Sequence, residues 1–308
     1  MPSRRDSSLF DPRRGVAPIR IGDLAGAPGT PLEPERTNCF SVCRIETGDG
    51  VFWADAAQHP FVAGSLLFFT PYQHIRFEPE TPLAGDMILF HANFLCVETF
   101  HAESGCAGTL FSDPYRSPSL LLDRPHRRDV AAILKRMRSE QASQGLAYEE
   151  MLRAELKILL ILATRLKGAT SEVEAADTRS PRHPVLAELR MLIESNYQAL
   201  HSPAEYARRL HMAPKTLGRV VREQLGKSLT DLIRERILTH AKWQLLHTLK
   251  PVKEVAREVG FDDELYFSRV FKKATGYSPT FFREFETEIR GGSNLSMLSP
   301  RAPILDRE

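Results

Sequence analysis

The chain has 308 residues, 42% hydrophobic and 26% charged, with a net charge of +2 at pH 7. It is long enough for two domains at ~100–200 residues each, and its composition excludes wholesale disorder, collagen and coiled-coil rods. No run of ~18 apolar residues predicts a membrane span, and residues 1–10 (MPSRRDSSLF) lead into no apolar segment that predicts a secretory signal. Its four cysteines do not form a disulfide framework, so a reducing cytoplasm is the expected setting.

Residues 1–37 are rich in Pro, Gly and Arg without periodicity and predict a flexible arm. From 38 to about 120 the pattern is β. Cys39-Phe40-Ser41-Val42-Cys43-Arg44-Ile45, Val51-Phe52-Trp53, Ser65-Leu66-Leu67-Phe68-Phe69, His74-Ile75-Arg76-Phe77 and Met87-Ile88-Leu89-Phe90 are short apolar or alternating runs, separated by turn signals such as Thr70-Pro71, Pro79, Pro82 and Gly85-Asp86. Short strands at this spacing predict a small barrel or sandwich.

The period becomes helical near 124, where Val130, Ile133, Leu134 and Met137 recur at i, i+3, i+4 and i+7. A second helix, about 147–167, carries Met151, Leu152, Leu156, Leu159, Leu160 and Ala163, with Ile158, Ile161 and Leu162 widening its apolar arc. So apolar a helix needs cover on more than one side. A subunit interface, the β region and the next domain each qualify. Residues 169–184 are polar with Gly and Pro nearby and predict a linker, 185–290 is helical throughout, and 291–308 predicts a disordered tail.

Charge is uneven. Lys and Arg number 20 against 23 Asp and Glu over 1–180, but 19 against 14 over 181–290. A basic C-terminal third points weakly to nucleic acid.

That third repeats itself. Leu217-Gly218-Arg219-Val220-Val221-Arg222 lies over Phe267-Ser268-Arg269-Val270-Phe271-Lys272 at an offset of 50, with Gly226, Ser228 and Thr230 over Gly276, Ser278 and Thr280. A short helix precedes each copy, Tyr206-Ala207-Arg208-Arg209-Leu210 and Val255-Ala256-Arg257-Glu258-Val259. Each copy has the pattern of a helix-turn-helix. In the first, Ser202-Pro203-Ala204-Glu205 predicts a capping box with Pro at the first helical position. The second helix buries Leu217, Val220, Val221 and Leu225 and is closed by Gly226. In the second copy, Asp262 or Asp263 caps a helix that buries Phe267, Val270 and Phe271. A helix of about 229–248 joins the copies. Its ~20 residues span roughly 30 Å, near the ~34 Å of one DNA turn, a spacing that suits two readers in successive major-groove segments.

Val259-Gly260-Phe261, Tyr266-Phe267-Ser268-Arg269-Val270-Phe271-Lys272-Lys273, Gly276-Tyr277-Ser278-Pro279 and Arg283, with Arg236-Ile237, Ala241 and Leu245-Leu246 in the connecting helix, resemble the signature of AraC/XylS-type bacterial transcription regulators. The resemblance covers residues 186–286. It implies an α+β two-domain chain: a cupin-like β-barrel followed by helices over 38–168, which binds an effector or mediates dimerisation, and an all-α domain over 185–290 of two helix-turn-helix units joined by a long helix, which binds promoter DNA. Carried over by position, Lys215 and Arg219 (with Gly218) read bases from the first recognition helix, about 214–225. Glu264, Leu265 and Arg269 read from the second, about 264–275. Arg219 and Arg269 suit bidentate contact with guanine, Glu264 a cytosine amine and Leu265 a thymine methyl. Gly218 has no side chain to reach a base edge. Arg222, Lys242, Lys272 and Lys273 are candidate phosphate contacts. Each of these cations has a plain alternative as part of a solvated helix face.

Other signatures are weak. Gly226-Lys227-Ser228 lacks the glycine of a phosphate-binding loop, since position 221 is Val221. His59, His74, His91 and His101 include no His-x-His pair and read as structural or exposed histidines, and Cys39, Cys43, Cys96 and Cys106 read as small apolar residues. Trp53, Phe69, Tyr72, His74 and Phe90 are the candidate effector pocket, with plain barrel core as the bland reading. The expectation is a regulator with double-stranded promoter DNA, a second copy of itself, RNA polymerase and an unidentified effector as partners, and with no catalytic residue, metal or cofactor. The rivals are a DNA-binding protein whose N-terminal domain only dimerises, and an enzyme with an accessory DNA-binding module.

Overall fold

Alternating apolar positions between residues 19 and 121 fold into eight strands. In the computed structural model, which describes residues 8–95, 107–111, 113–176 and 184–289, these are β1 (Ile19–Gly26), β2 (Phe40–Thr47), β3 (Gly50–Ala54), β4 (Ala57–Phe61), β5 (Ser65–Phe69), β6 (Ile75–Pro79), β7 (Leu83–Phe90) and β8 (Ser119–Leu121). They form two antiparallel sheets, ordered β1-β7-β2-β5-β8 and β4-β3-β6.

The unbroken apolar run of β5 follows from its position, because both of its faces are covered. Leu67 and Phe69 point between the sheets, into a core with Cys43, Ile45, Phe52, Phe61 and Phe77. Leu66 and Phe68 point the other way, toward helices α1 (Arg124–Ser143) and α2 (Tyr148–Ala176), where they meet Val130, Ile133, Leu134, Met137, Leu152 and Leu156. The apolar arc of α2 is thus mostly covered by the large sheet and α1, while Met151 and Ile158 remain exposed. The bidentate pair Arg136–Glu155, at 2.5 and 2.8 Å, ties α1 to α2.

Two sequence expectations change here. The segment 1–37 is not a loose arm throughout, since β1 lies within it and pairs with β7 from Ile19↔Phe90 to Gly26↔Leu83. Ile19, Ile21 and Leu24 are buried on an edge strand whose Gly22 and Asp23 face outward, and that mixture hides the alternation. Helix α2 runs through residue 168 to Ala176, into the predicted linker. The remainder of that linker and the predicted tail at 291–308 lie outside the described residues.

The C-terminal domain is α3 (Val185–Asn196), α4 (Pro203–Arg209), α5 (Pro214–Leu225), α6 (Leu229–His247), α7 (Val252–Glu258), α8 (Glu264–Thr275) and α9 (Pro279–Ile289). The stripes Leu217, Val220, Val221, Leu225 and Phe267, Phe271 are buried as expected from their spacing, while Val270, expected with them, is only partly buried. Both reading helices end on a left-handed glycine, Gly226 at φ 68° and Gly276 at φ 88°. Asp263 caps α8 through the Leu265 N–H at 2.7 Å. Ser202 holds the cap position of α4 but makes no side-chain cap bond, so the predicted capping box is not formed. Arg283 braces the second unit on α6 by donating to the Leu245 and Lys250 carbonyls at 3.2 and 2.6 Å.

The two domains share a core. Leu9, Tyr72 and Tyr115 of the N-terminal part are buried in the same cluster as Leu217, Leu232, Phe267 and Phe282.

Candidate nucleic-acid interface

Each reading helix keeps its apolar stripe inward and so turns its basic side out. Lys215, Arg219 and Arg222 of α5 are exposed, as are Leu265, Arg269, Lys272 and Lys273 of α8, while Glu264 is half-buried in the first turn. Around Gly218 there is open space where a side chain would project. Arg269 donates from Nε to the Leu265 carbonyl at 3.4 Å, and its guanidinium lies 6.0 Å from the Tyr266 ring centre. None of these exposed cations makes an ion pair among the described residues, as a phosphate- or base-contacting surface requires.

Lys242 stands apart from this surface. It projects from α6 on the same side as Leu238 and Leu246, four residues either way, into a cavity beneath the N-terminal domain. There it donates to the Pro71 carbonyl at 3.4 Å. The burial that surrounds it lowers its pKa. A phosphate contact from Lys242 is incompatible with this docked arrangement. The spacing along the helix gave no sign that the barrel covers that face.

Beside the Lys242–Pro71 contact, three joints among those of the described residues link the N-terminal domain to the C-terminal one. At the first unit, the backbone of β4 meets the loop after α5, where the Gln58 N–H donates to the Gly226 carbonyl at 3.0 Å. Beside it His59 is buried with Nε2 unpaired, and burial, with Lys227 and Lys167 nearby, lowers its pKa to about 4. Lys227 itself is buried and paired with Glu235 at 2.6 Å. Second, the Tyr115 hydroxyl donates to Glu194 at 3.1 Å, and Glu194 also holds Arg236 at 2.7 Å. Third, at the second unit, α9 carries Glu286, only 3% exposed, into a polar cluster made by the barrel. Tyr72 donates to it through its hydroxyl, Asn38 Nδ2 lies at 3.4 Å, and His91 Nε2 at 3.5 Å. The Asn93 N–H donates to His91 Nδ1 at 3.2 Å, which leaves the ring proton on Nε2, facing the carboxylate.

The five candidate effector residues do not share one space. Phe69 is sealed between the sheets and Phe90 lies in the core under the helices. Trp53 is half-exposed with Arg76 5.3 Å from its ring centre. Tyr72 and His74 alone of the five line the interdomain cavity. Cys39 and Cys43 are buried, and burial raises both thiol pKa values, that of Cys39 to about 11. Cys96, Cys106 and His101 lie outside the described residues. Among the described residues no group of three His, Cys, Asp or Glu side chains is placed to hold a metal ion, and no helix is long and apolar enough to cross a membrane.

Sequence reasoning missed Asn38 and Glu286, and read His91 only as one of several structural or exposed histidines. One signal was present: Phe282, Glu286 and Ile289 recur at i, i+4 and i+7, so the carboxylate interrupts a buried stripe.

Two helix-turn-helix units joined by a long helix, each with an exposed basic reading face, define a double helix-turn-helix DNA-binding domain on an α+β chain. The family model for a helix-turn-helix domain matches residues 206–284. The chain is similar to the arabinose operon regulatory protein of Escherichia coli K12, 42% identical over 92 residues, 30% of each chain. It is also similar to the transcriptional activator RhaR of Klebsiella pneumoniae, 26% identical over 157 residues, 51% of this chain and 53% of that one. Among solved structures, the C-terminal domain of AraT, a response regulator from Geobacillus stearothermophilus, is 28% identical and is covered to 98%, over 41% of this chain, with a TM-score of 0.34. The match takes in under a third of the length of the arabinose regulators. Over this C-terminal region the chain carries a helix-turn-helix domain and is similar to the DNA-binding parts of AraC/XylS-type transcription regulators.

Proposed function

We propose that the chain is a sequence-specific transcription regulator that places α5 and α8 in adjacent major-groove segments of promoter DNA. The observation that carries this is the repeated unit itself: two capped reading helices, 50 residues apart in sequence, each with unpaired exposed cations opposite a buried stripe. Lys215, Arg219, Glu264, Leu265 and Arg269 read bases, and Arg222, Lys272 and Lys273 hold phosphates. Phosphate contacts give salt-dependent affinity, and base contacts select the sequence. The chain acts by binding rather than catalysis. Among the described residues, Cys39 and Cys43 are buried with raised pKa, the reverse of the exposed low-pKa thiol of a cysteine-dependent enzyme.

The protein works in the cytoplasm as a homodimer that acts on RNA polymerase. The exposed Met151 and Ile158 on α2 favour the dimer, and the cavity at the domain joint favours control by a small effector. The test is capture of genomic fragments by the full chain, followed by anisotropy titrations on the recovered duplex and a scrambled one. Preference for the recovered duplex of at least ~10³-fold at physiological salt is the expected result. Equal affinity for both would overturn the reading.

A further inference from the structure

Two reading helices grip one duplex together only if their separation and angle are held. The apolar stripes fix the helices within each unit, but the units meet each other through α6 and through the loop that leads into α4. A Cβ added at Gly260, in the turn of the second unit, would lie 2.0 Å from the Gln198 carbonyl oxygen of that loop. Beside it the His201 ring centre lies 5.5 Å from that of Phe261.

Near this contact α6 buries an amide. Gln244 stands three residues after Ala241 and seven after Ile237, inside their buried stripe, and is only 6% exposed. It follows Lys242 by two residues, which turns it to the side of α6 away from the barrel. Its Nε2 donates to Glu258 Oε2 of α7 at 2.6 Å and lies 3.2 Å from His240 Nε2. Glu258 also holds Lys250, in the loop before α7. His240 Nδ1 lies 3.0 Å from the hydroxyl of Tyr197 at the end of α3, and the Arg236 guanidinium covers the Tyr197 ring at 4.1 Å. The end of α3 is tied in turn to α4, by Arg209 donating to Asn196 at 2.8 Å and the Tyr206 hydroxyl donating to the Leu200 carbonyl at 2.9 Å. A continuous chain of hydrogen bonds thus runs from the first unit, across α6, to the second.

The Glu258 carboxylate only accepts, so the Gln244 nitrogen must face it, and the second amide N–H then meets His240 Nε2 as an acceptor. His240 is neutral in this arrangement, with its ring proton on Nδ1. Burial, and after it the charge of Arg236, lowers its pKa and favours that form. Both amide hydrogens are used, while Oε1 is buried with no partner among the described residues. A leucine would fill the site without an unmet acceptor, so burial alone does not account for the amide. Hydrogen bonds add what apolar contact lacks, which is direction. They fix which residue of α7 meets α6, as buried polar groups fix register between packed helices.

We propose that Gln244 is a positioning residue that fixes the second unit on the first and so sets the spacing of the two DNA segments that α5 and α8 accept. For the spacing this rests on the reading of α5 and α8 as DNA readers; the fixed pose of the two units does not depend on it.

The experiment has two arms, both on the full chain. In the first, without DNA, spin-labelled p-acetylphenylalanine replaces the exposed Gln224 of α5 and Lys253 of α7, and pulsed electron resonance reads the distance between them. The wild type is expected to give one narrow distribution and Gln244→Leu one about twofold wider, since a satisfied network rigidifies what it joins. Glu258→Gln, which keeps an acceptor oxygen for the Gln244 amide, should stay narrow. In the second arm one or two base pairs are inserted between the two segments of the captured duplex, each turning the second segment by roughly 35°. The wild type should lose affinity about tenfold per inserted pair and Gln244→Leu only about twofold, with Glu258→Gln following the wild type. Should Gln244→Leu not fold, Glu258→Ala, which removes the same bond from a half-buried position, decides in its place. A distribution as narrow in the variant as in the wild type overturns the proposal, and so does a spacing penalty that the variant keeps or the wild type lacks. Equal wild-type affinity for the captured and scrambled duplexes would instead sink the regulator reading, and the first arm would still decide whether Gln244 fixes the pose.

Discussion

Tyr72 donates its hydroxyl to the buried Glu286 carboxylate across the domain joint, and does so from a left-handed backbone, φ 66°, in the turn between β5 and β6. A tyrosine pays for that conformation only where its surroundings fix it. Here its ring lies 5.0 Å from Phe282 and 5.8 Å from Tyr277, inside the core of the other domain. Glu286→Ala leaves the groups facing the carboxylate without their acceptor. A loss of roughly 2–4 kcal/mol is expected, since one unpaired buried donor costs ~1–3 kcal/mol. Glu286→Gln, which keeps an acceptor oxygen, should lose less. Calorimetry checks this: the alanine variant should show the two domains melting separately, and an unchanged single transition would contradict the role given to Glu286.

Two glycines of the first unit should respond in opposite ways to alanine. Gly226 has φ 68°, and a Cβ there would lie 2.2 Å from the Gln58 carbonyl oxygen. Gly226→Ala therefore strains the cap and pushes β4 away. Gly218 lies inside α5 with nothing near its missing side chain. Gly218→Ala should stabilise the chain by about 0.5–1 kcal/mol, the usual gain for Gly to Ala in a helix interior. Urea titrations of the two variants give the comparison, and a stabilised Gly226→Ala would rule out the tight backbone approach.

The helical domain was legible because its information is local. Stripe spacing gave Leu217, Val220, Val221 and Leu225, glycine gave the ends of α5 and α8, and the self-offset of 50 gave the duplication. What was hidden depends on contacts between residues far apart in sequence. Lys242 reads as a solvated cation until the barrel is laid over α6. Tyr72 reads as barrel core and is in fact buried in the DNA-binding domain. Phe69 and Phe90 read as partners in a pocket, but they occupy opposite faces of one sheet, which alternation within each strand cannot reveal when the registers of β5 and β7 are unknown.

The reading helices should divide their labour between specificity and affinity. Arg269→Ala is expected to weaken binding to the captured duplex by ~1–3 kcal/mol and to relax preference at one base position. Lys272→Ala should weaken all sequences alike and reduce the salt slope by about 1. Anisotropy titrations over a set of single-base operator variants at several salt concentrations separate the two. Identical profiles for both variants would mean that Arg269 holds a phosphate rather than reading a base.

His59 should make folding stability depend on pH. Burial lowers its pKa to about 4 in the folded chain, against ~6.5 when unfolded. Between those values the unfolded chain binds the proton and the folded chain does not, so stability rises with pH across that window. It is fully present above pH ~6.5 and is lost as pH falls toward 4, by on the order of 3 kcal/mol at most from this one group. The cost is felt where β4 meets Gly226 and Lys227, because a charged imidazole there has its Nε2 unpaired and faces a buried ammonium. His59→Leu removes the titrating group and should flatten this part of the stability profile. Chemical denaturation at pH 7.5, 6 and 5 measures it: parallel losses in wild type and His59→Leu would show that some other group carries the acid sensitivity.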